Sequence, residues 1–274
     1  MDAHRETTLG VFLILALCLA GCGGDAGDGG ETADAGAAPA AEPTAEPATA
    51  SESGYTVVAV EDAGTIRGVV LFAGTVPAAR TVGVTEDVDA CGETVLIQTL
   101  EVGSGRGLAN VVVSLTDIDR GAALNAPASP PSLDQRGCRF SPHVLLAGVD
   151  QGVAIRNSDP MSHNVHTVSF DNRPVNKMQP PELEKLEVTF GVAEKVKVKC
   201  DIHEWMSAWV VVADHPYHAI TGADGSFTLE NVPPGTYTLE VWHEDLGSTT
   251  RTVTVTAGQS TEASFELGAT SPQS

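Results

Sequence analysis

From Tyr55 onward the chain never sustains a 3.6-residue apolar period over a helical length; short alternating or wholly apolar runs are broken instead by Gly, Pro, Asn and Asp. That pattern calls for strands and leaves no room for a helical bundle. The clearest runs are TIRGVVLF (65 to 72), NVVVSL (110 to 115), HVLLAGV (143 to 149), GVAIRN (152 to 157), KVKVKC (195 to 200) and AWVVVA (208 to 213). Their spacing predicts an all-β chain arranged as an antiparallel sandwich. At 274 residues there is length for one large or two modest domains, with enough apolar content to build a core.

The beginning of the chain departs from this pattern. Leu9 to Ala20 form an apolar run of twelve, too short for a permanent membrane span and typical of a secretory signal. It ends in Leu19-Ala20-Gly21-Cys22, which resembles the lipobox of bacterial lipoproteins. The resemblance implies removal of residues 1–21 and acylation of Cys22; the alternative is an ordinary cleaved signal in which Cys22 is incidental. Residues 22–54 then carry seven acidic residues and no basic, aromatic or large aliphatic one, so they cannot bury enough surface to fold. They are expected to form a disordered acidic tether, extended by self-repulsion. The expected location is the bacterial cell envelope, lipid-anchored and facing the periplasm or exterior.

The formal charge of the chain is −21, and about −13 remains once the signal and tether are set aside. No basic stripe exists to displace counterions from phosphates, which argues against nucleic acid as a partner. An acidic surface favours solubility or a basic docking partner.

Cysteines occur at 18, 22, 91, 138 and 200. If Cys18 leaves with the signal and Cys22 carries lipid, three remain in an oxidising compartment. Cys91 and Cys138, in the turn-like settings DACGE and QRGCRF, could close a separation of 47 residues. Cys200 would then be a thiol for which metal coordination is one of few uses. The alternative pairs Cys200 with one of the other two.

The stretch TGADGSFTLENVPPGTYTLEVWHE contains an Asp224-Gly225 hairpin turn and a Pro233-Pro234-Gly235 turn between alternating runs. With TRTVTVTAG and EASFEL it predicts a small separate sandwich over 214–270. It resembles the carboxypeptidase regulatory-like, or transthyretin-like, modules of exported bacterial proteins, a likeness that implies no activity by itself.

The chemistry concentrates in CDIHEWM. Alternation in KVKVKC puts Lys195, Lys197 and Lys199 on one strand face and Val196, Val198 and Cys200 on the other, so the thiol points to the core. His203 and Met206 follow on the loop before AWVVVA returns the chain. A fourth ligand comes from NSDPMSHNVHTV, where turn residues lead to His163 at the start of the next extended run. His166, three positions on, faces the other way and is read as structural. Two imidazoles, a thiolate and a weak thioether suit a blue copper centre; zinc, the competitor, rarely uses thioether.

These residues resemble the cupredoxins of the plastocyanin and amicyanin type: Asn157-x-Asp159, His163-Asn164, and Cys200-x-x-His203-x-x-Met206. The resemblance implies a Greek-key β-sandwich with its core in 138–213, the preceding 55–137 completing or extending it, and the regulatory-like module after it. It also implies equatorial ligands His163, Cys200 and His203, an axial Met206, and an Asn164 that braces the ligand loop. The ring edge of His203 would lie near the surface as an electron gate, rimmed by Ile202, Glu204 and Trp205. Trp205 is read as shielding the site from water and Trp209 as packing in the return strand, or both as ordinary core aromatics. His143 reads as strand-entry structure. His215, His218 and His243 are either a second site near the junction of the modules or isolated histidines.

The function expected from this set is one-electron transfer by one copper ion cycling between Cu(I) and Cu(II), with a protein redox partner. The alternative is copper binding and delivery, or docking to the envelope, without electron transfer. An enzyme is not expected, because four matched ligands leave no place for substrate, and the sequence shows no hydrolase triad or phosphate loop.

Overall fold

The computed structural model describes residues 54–125 and 128–268; Cys22, the signal segment and nearly all of the acidic tether lie outside the described residues. The regular structure of the described residues is almost wholly strand, with one helical turn at Val88–Cys91 and one at Ser104–Arg106.

Residues 132–213 form one sandwich. Its first sheet runs in the order Asn176–Gln179, His163–Val168, Glu194–Lys199, Ser207–Ala213, Val144–Gly148. The second runs Lys185–Thr189, Gly152–Asn157, Ser132–Gln135, Phe140–Ser141. Between them lie Leu133, Phe140, Ile155, Val165, Phe190, Val196, Val198 and Val210, all buried. Each such side chain contributes on the order of 1.5–3 kcal/mol by leaving water. The sheets are mixed, not antiparallel throughout: Ser207–Ala213 runs parallel to Val144–Gly148, and Gly152–Asn157 parallel to Ser132–Gln135.

The second sandwich corrects the domain order. Residues 55–137 were expected to complete or extend the first sandwich, yet only Ser132–Gln135 joins one of its sheets. Gly64–Phe72 instead pairs antiparallel with Ser226–Val232 and parallel with Ser260–Glu262 and Phe265–Leu267. Val112–Leu115 lies between His218–Ile220 and Gly235–His243, with Gly247–Val255 beyond. Ile66, Val70, Leu108, Val111 and Val113 share one core with Tyr217, Leu229, Leu239, Val241 and Phe265. The module expected over 214–270 is therefore completed by residues from before the first sandwich, which is an insertion within it. The physical reason is edge pairing: without Gly64–Phe72, its flanking strands would expose unpaired backbone and half of that core.

Asp224-Gly225 and the Pro233-Pro234-Gly235 turn are where the sequence puts them, but each carries the chain between sheets of this sandwich instead of closing a hairpin. At Gly225 φ is +73°, and a Cβ would come within 2.2 Å of the Val70 carbonyl oxygen, so only glycine fits that crossing.

The two sandwiches meet along a seam. Val112, Val144 and Val211 are buried there, and the Trp209 and Trp242 rings pack edge to face at 4.9 Å. Glu244 accepts the Trp209 indole N–H at 2.9 Å and also contacts His143 Nε2. Lys195 bonds Glu240 across the same boundary at 3.0 Å.

Candidate metal centre

The ligand loop follows from strand alternation. Val196, Val198 and Cys200 are at most 1% exposed, while the lysines between them lie half-buried on the other face. Six residues later Met206 leads into the return strand, and two bonds close the turn: Met206 N to the His203 carbonyl at 2.8 Å, and Cys200 N to the Met206 carbonyl at 3.3 Å. Cys200, His203 and Met206 are all buried at this end of the sandwich, the thiol and thioether within one core cluster.

His163 arrives from the neighbouring strand, pinned by the turn before it. The Asn157 Oδ1 accepts the Asp159 amide at 3.1 Å, and its Nδ2 donates to the carbonyls of Met161 and Gln179. His163 Nδ1 then lies 3.0 Å from His203 Nδ1, with the Cys200 sulfur 3.7 Å from the latter. The three ligand atoms lie within 4.8 Å of one another, the one such group of three among the described residues. Asn164 braces the loop: its amide donates to the Cys200 sulfur at 3.3 Å, and its Oδ1 accepts the Asp201 amide at 3.2 Å. The His203 amide also points at the sulfur, at 3.5 Å.

Behind each imidazole stands a carboxylate. Asp159 meets His163 Nε2 at 3.0 Å while accepting the amides of Gly137 and Cys138. Asp87 meets His203 Nε2 at 3.0 Å. With both Nε2 atoms donating outward, both Nδ1 atoms face the middle of the cluster, which is how metal-ligating histidines are commonly buttressed.

The titratable groups of the cluster shift one another. Burial pushes the Cys200 thiol up, but His163 and the amides of His203, Asn164 and Ile202 outweigh it and leave the thiol below its ordinary value. Burial likewise works against a charged His163, yet Asp159 and Cys200 overcome it and raise the ring to about 9. Asp159 is lowered despite burial, chiefly by His163 and the two turn amides. His203 moves the other way, lowered by burial and by His163, with Asp87 offsetting only part. A buried sulfur, two inward imidazole nitrogens and a thioether in the same core cluster fit copper.

One expectation fails. The edge of His203 is not near the surface: the residue is 0% exposed and its outer nitrogen is covered by Asp87. Asp87 was not legible as part of the site, since 116 positions separate it from His203 and EDVDA carries no local signal. Of the expected rim, Glu204 is exposed and Ile202 and Trp205 are half-buried. The Trp205 ring packs 5.1 Å from that of His203, and its indole N–H donates to the Cys138 carbonyl at 3.0 Å. Among the described residues Cys91 and Cys138 form a disulfide and Cys200 is a free thiol, as in one of the two alternatives.

His166 lies outside the cluster, paired with Asp201 at 2.8 Å. His143 is buried against Glu244, and Trp209 packs in the seam. The His215 and His218 rings lie 4.4 Å apart, tilted by 33°, but among the described residues His243 is not gathered with them into a metal-holding group.

The class defined by fold and site is thus an all-β protein of two sandwiches, one holding a buried His-Cys-His cluster. Residues 206–268 match the family model of the carboxypeptidase regulatory-like domain. The match takes in Ser207–Ala213, which pairs in the metal-side sheet, and omits Gly64–Phe72 and Val112–Leu115, which complete the second sandwich. No curated protein matches the sequence. Solved structures similar to it include a copper-containing nitrite reductase from Thermus scotoductus: 21% identity over 34% of this chain and 25% of that one, TM-score 0.29. The chain thus spans about a quarter of that enzyme's length. A reduced amicyanin variant is 24% identical over 32% of this chain and 87% of its own, TM-score 0.29. A purple cupredoxin from Nitrosopumilus maritimus is 20% identical over 30% and 98%, TM-score 0.26. All three likenesses are confined to about a third of the chain.

Proposed function

We propose that the protein is an exported, membrane-anchored type 1 copper protein that carries one electron at a time. The observation that carries this reading is the convergence of His163 Nδ1, His203 Nδ1 and the Cys200 sulfur within 4.8 Å of one another, beside a buried Met206. When bound, copper supplies the one-electron chemistry, cycling between Cu(I) and Cu(II). The chain's own part is to hold the donors still. Asp159 and Asp87 fix the two rings, two backbone amides aim at the sulfur, and the sandwich core excludes water. A cage that does not rearrange suits electron transfer, because little reorganisation accompanies a change of charge. His163, Cys200, His203 and Met206 are each at most 1% exposed, which supports a carrier over an enzyme. The acidic surface fits a cationic redox partner, and the lipobox-like tetrad at Cys22 fits anchoring in the envelope.

One observation favours a second reading, copper holding and delivery: Asp87 covers the ring edge through which a partner would exchange electrons. The two readings separate by electron self-exchange, fast for a carrier and slow for a store. The first test is to add Cu(II) to the purified full chain and record visible absorption and electron paramagnetic resonance beside Cys200→Ser. An intense thiolate-to-copper band with narrow hyperfine splitting, lost in the variant, is the expected result; a colourless protein, or one that takes only zinc, overturns the proposal.

A further inference from the structure

The two carboxylates behind the imidazoles reach the cluster by unrelated routes that are joined by one covalent bond. Asp159 belongs to the turn four residues before His163. Asp87 lies between the paired strands Thr81–Gly83 and Thr94–Leu96, outside both sandwiches' main sheets. Its backbone is left-handed, φ 53° and ψ 38°, a conformation that aspartate tolerates better than most residues. From there its carbonyl accepts the amides of Ala90 and Cys91, both at 2.9 Å, which fixes the helical turn Val88–Cys91. Cys91 is bonded to Cys138, whose amide donates to Asp159 and whose carbonyl accepts Trp205. The path from Asp87 through Cys91, Cys138, Asp159 and His163 returns to His203 and closes a ring around the ligand cluster.

We propose that Asp87 is the positioning residue for His203, held in place by the Cys91–Cys138 disulfide. This rests on the copper reading above for its metal clause and on the cluster's geometry alone for the rest. An imidazole with no partner at Nε2 divides between two tautomers, and the one with its proton on Nδ1 cannot bind a cation through that atom. Asp87 accepts the Nε2 proton at 3.0 Å and so keeps the Nδ1 lone pair facing Cys200 and His163. The Asp87 side chain is 43% exposed while the His203 side chain is 0% exposed, so the carboxylate is also the plug between that ring and solvent. Asp87 is thus the outer wall of the site, contributed by a strand pair that belongs to neither sandwich core.

The test uses the metal-free full chain first, so that it does not depend on copper. Ring tautomers of His203 and His143 are read by long-range nitrogen–proton correlation in the native chain, in Asp87→Gly and in Asp87→Asn. Glycine removes the carboxylate but accepts the left-handed backbone, and asparagine keeps an oxygen that can accept the proton. The expected result is a single Nε2–H tautomer in the native chain, with mixed tautomers and at least about tenfold faster exchange of that proton in Asp87→Gly. Asp87→Asn is expected to restore the tautomer, and His143, buried against Glu244 at the seam and outside the cluster, to stay unchanged throughout as the internal control of folding. An unchanged His203 in Asp87→Gly, or a native chain with the proton on Nδ1, overturns the proposal. The second arm is competition for Cu(I) against a chromogenic chelator. Loss of about 10–100-fold in affinity for Asp87→Gly, and less for Asp87→Asn, is expected from an outer partner of a ligating histidine. Equal affinities overturn the metal clause. A native chain that binds no copper while the tautomers behave as expected sinks the copper reading and leaves the positioning role standing.

Discussion

The two sandwiches differ in what they bury. The one made of residues 55–72, 100–121 and 216–267 has a core of aliphatic and aromatic side chains, its tyrosine hydroxyls turned to backbone carbonyls, with Ser114, Thr221 and His243 buried beside it. The one formed by 132–213 encloses, beside an equally apolar core, Gln135, Asn157, Asp159, His163, Asn164, Gln179 and His203. Burying polar groups is costly unless each is bonded, and here, with Gln135 Oε1 the exception in this set, the bonds form one lattice ending at the ligand cluster. Chain path differs in the opposite sense. The apolar sandwich is split by the insertion, whereas the polar one is continuous except for the disulfide-linked strap that brings Asp87. Chemistry is concentrated in the continuous part and closure of the chain in the split part.

The largest break in this comparison comes from separating the pieces. Residues 206–268 expressed alone should show no cooperative thermal transition, because the partners of Ser226–Val232 and the neighbours of Leu239 lie in 64–115; a folded 206–268 fragment would refute the split architecture. Next comes Cys91→Ala, which releases a separation of 47 residues and should cost about 4 kcal/mol in the chain-entropy model, read by chemical denaturation. Leu239→Ala, in the apolar core, should cost about 3 kcal/mol. If the sandwiches are independent in chemistry, the copper absorption band will keep its wavelength in that variant; a shifted band would couple them.

The smallest effect is a pH dependence centred on the split sandwich. Burial, aided by His215, holds His218 down at about 4 against an ordinary 6.5. The unfolded chain therefore binds this proton first, so its contribution to stability is complete above about pH 6.5 and is lost as pH falls through about 4. His218→Gln should flatten the decline in melting temperature over that window, and an unchanged slope would show that His218 is not its source.

Legibility in the sequence tracked separation along the chain. CDIHEWM was readable because its ligands are three residues apart and its strand alternates cleanly, and His163 because turn residues announce the strand that it opens. The face of the lysines was equally local, whereas the Cys91–Cys138 pair, 47 positions apart, was one of two alternatives and the parallel pairings within the sheets were not foreseen. What escaped was long-range: Thr65 pairs with Ser260, 195 positions away, and Asp87 reaches His203 across 116. Nothing in VVLF or EDVDA specifies such partners, since the same apolar alternation would serve either sandwich. The exposed His203 gate failed for the same reason, because its cover comes from a distant segment.

The insertion also sets an order of assembly. Gly64–Phe72 waits for partners that end only at Phe265–Leu267, whereas every strand of the ligand-bearing sandwich, and the strap with Asp87, precedes residue 214. Contacts of long separation form late, because closing a longer loop costs more entropy before any contact repays it. A chain emerging N-terminus first therefore completes its ligand cage while its other half still lacks the long strands Ser226–Val232, Gly235–His243 and Gly247–Val255. The cage matures inside an open frame, and the closing strands arrive last to lock it.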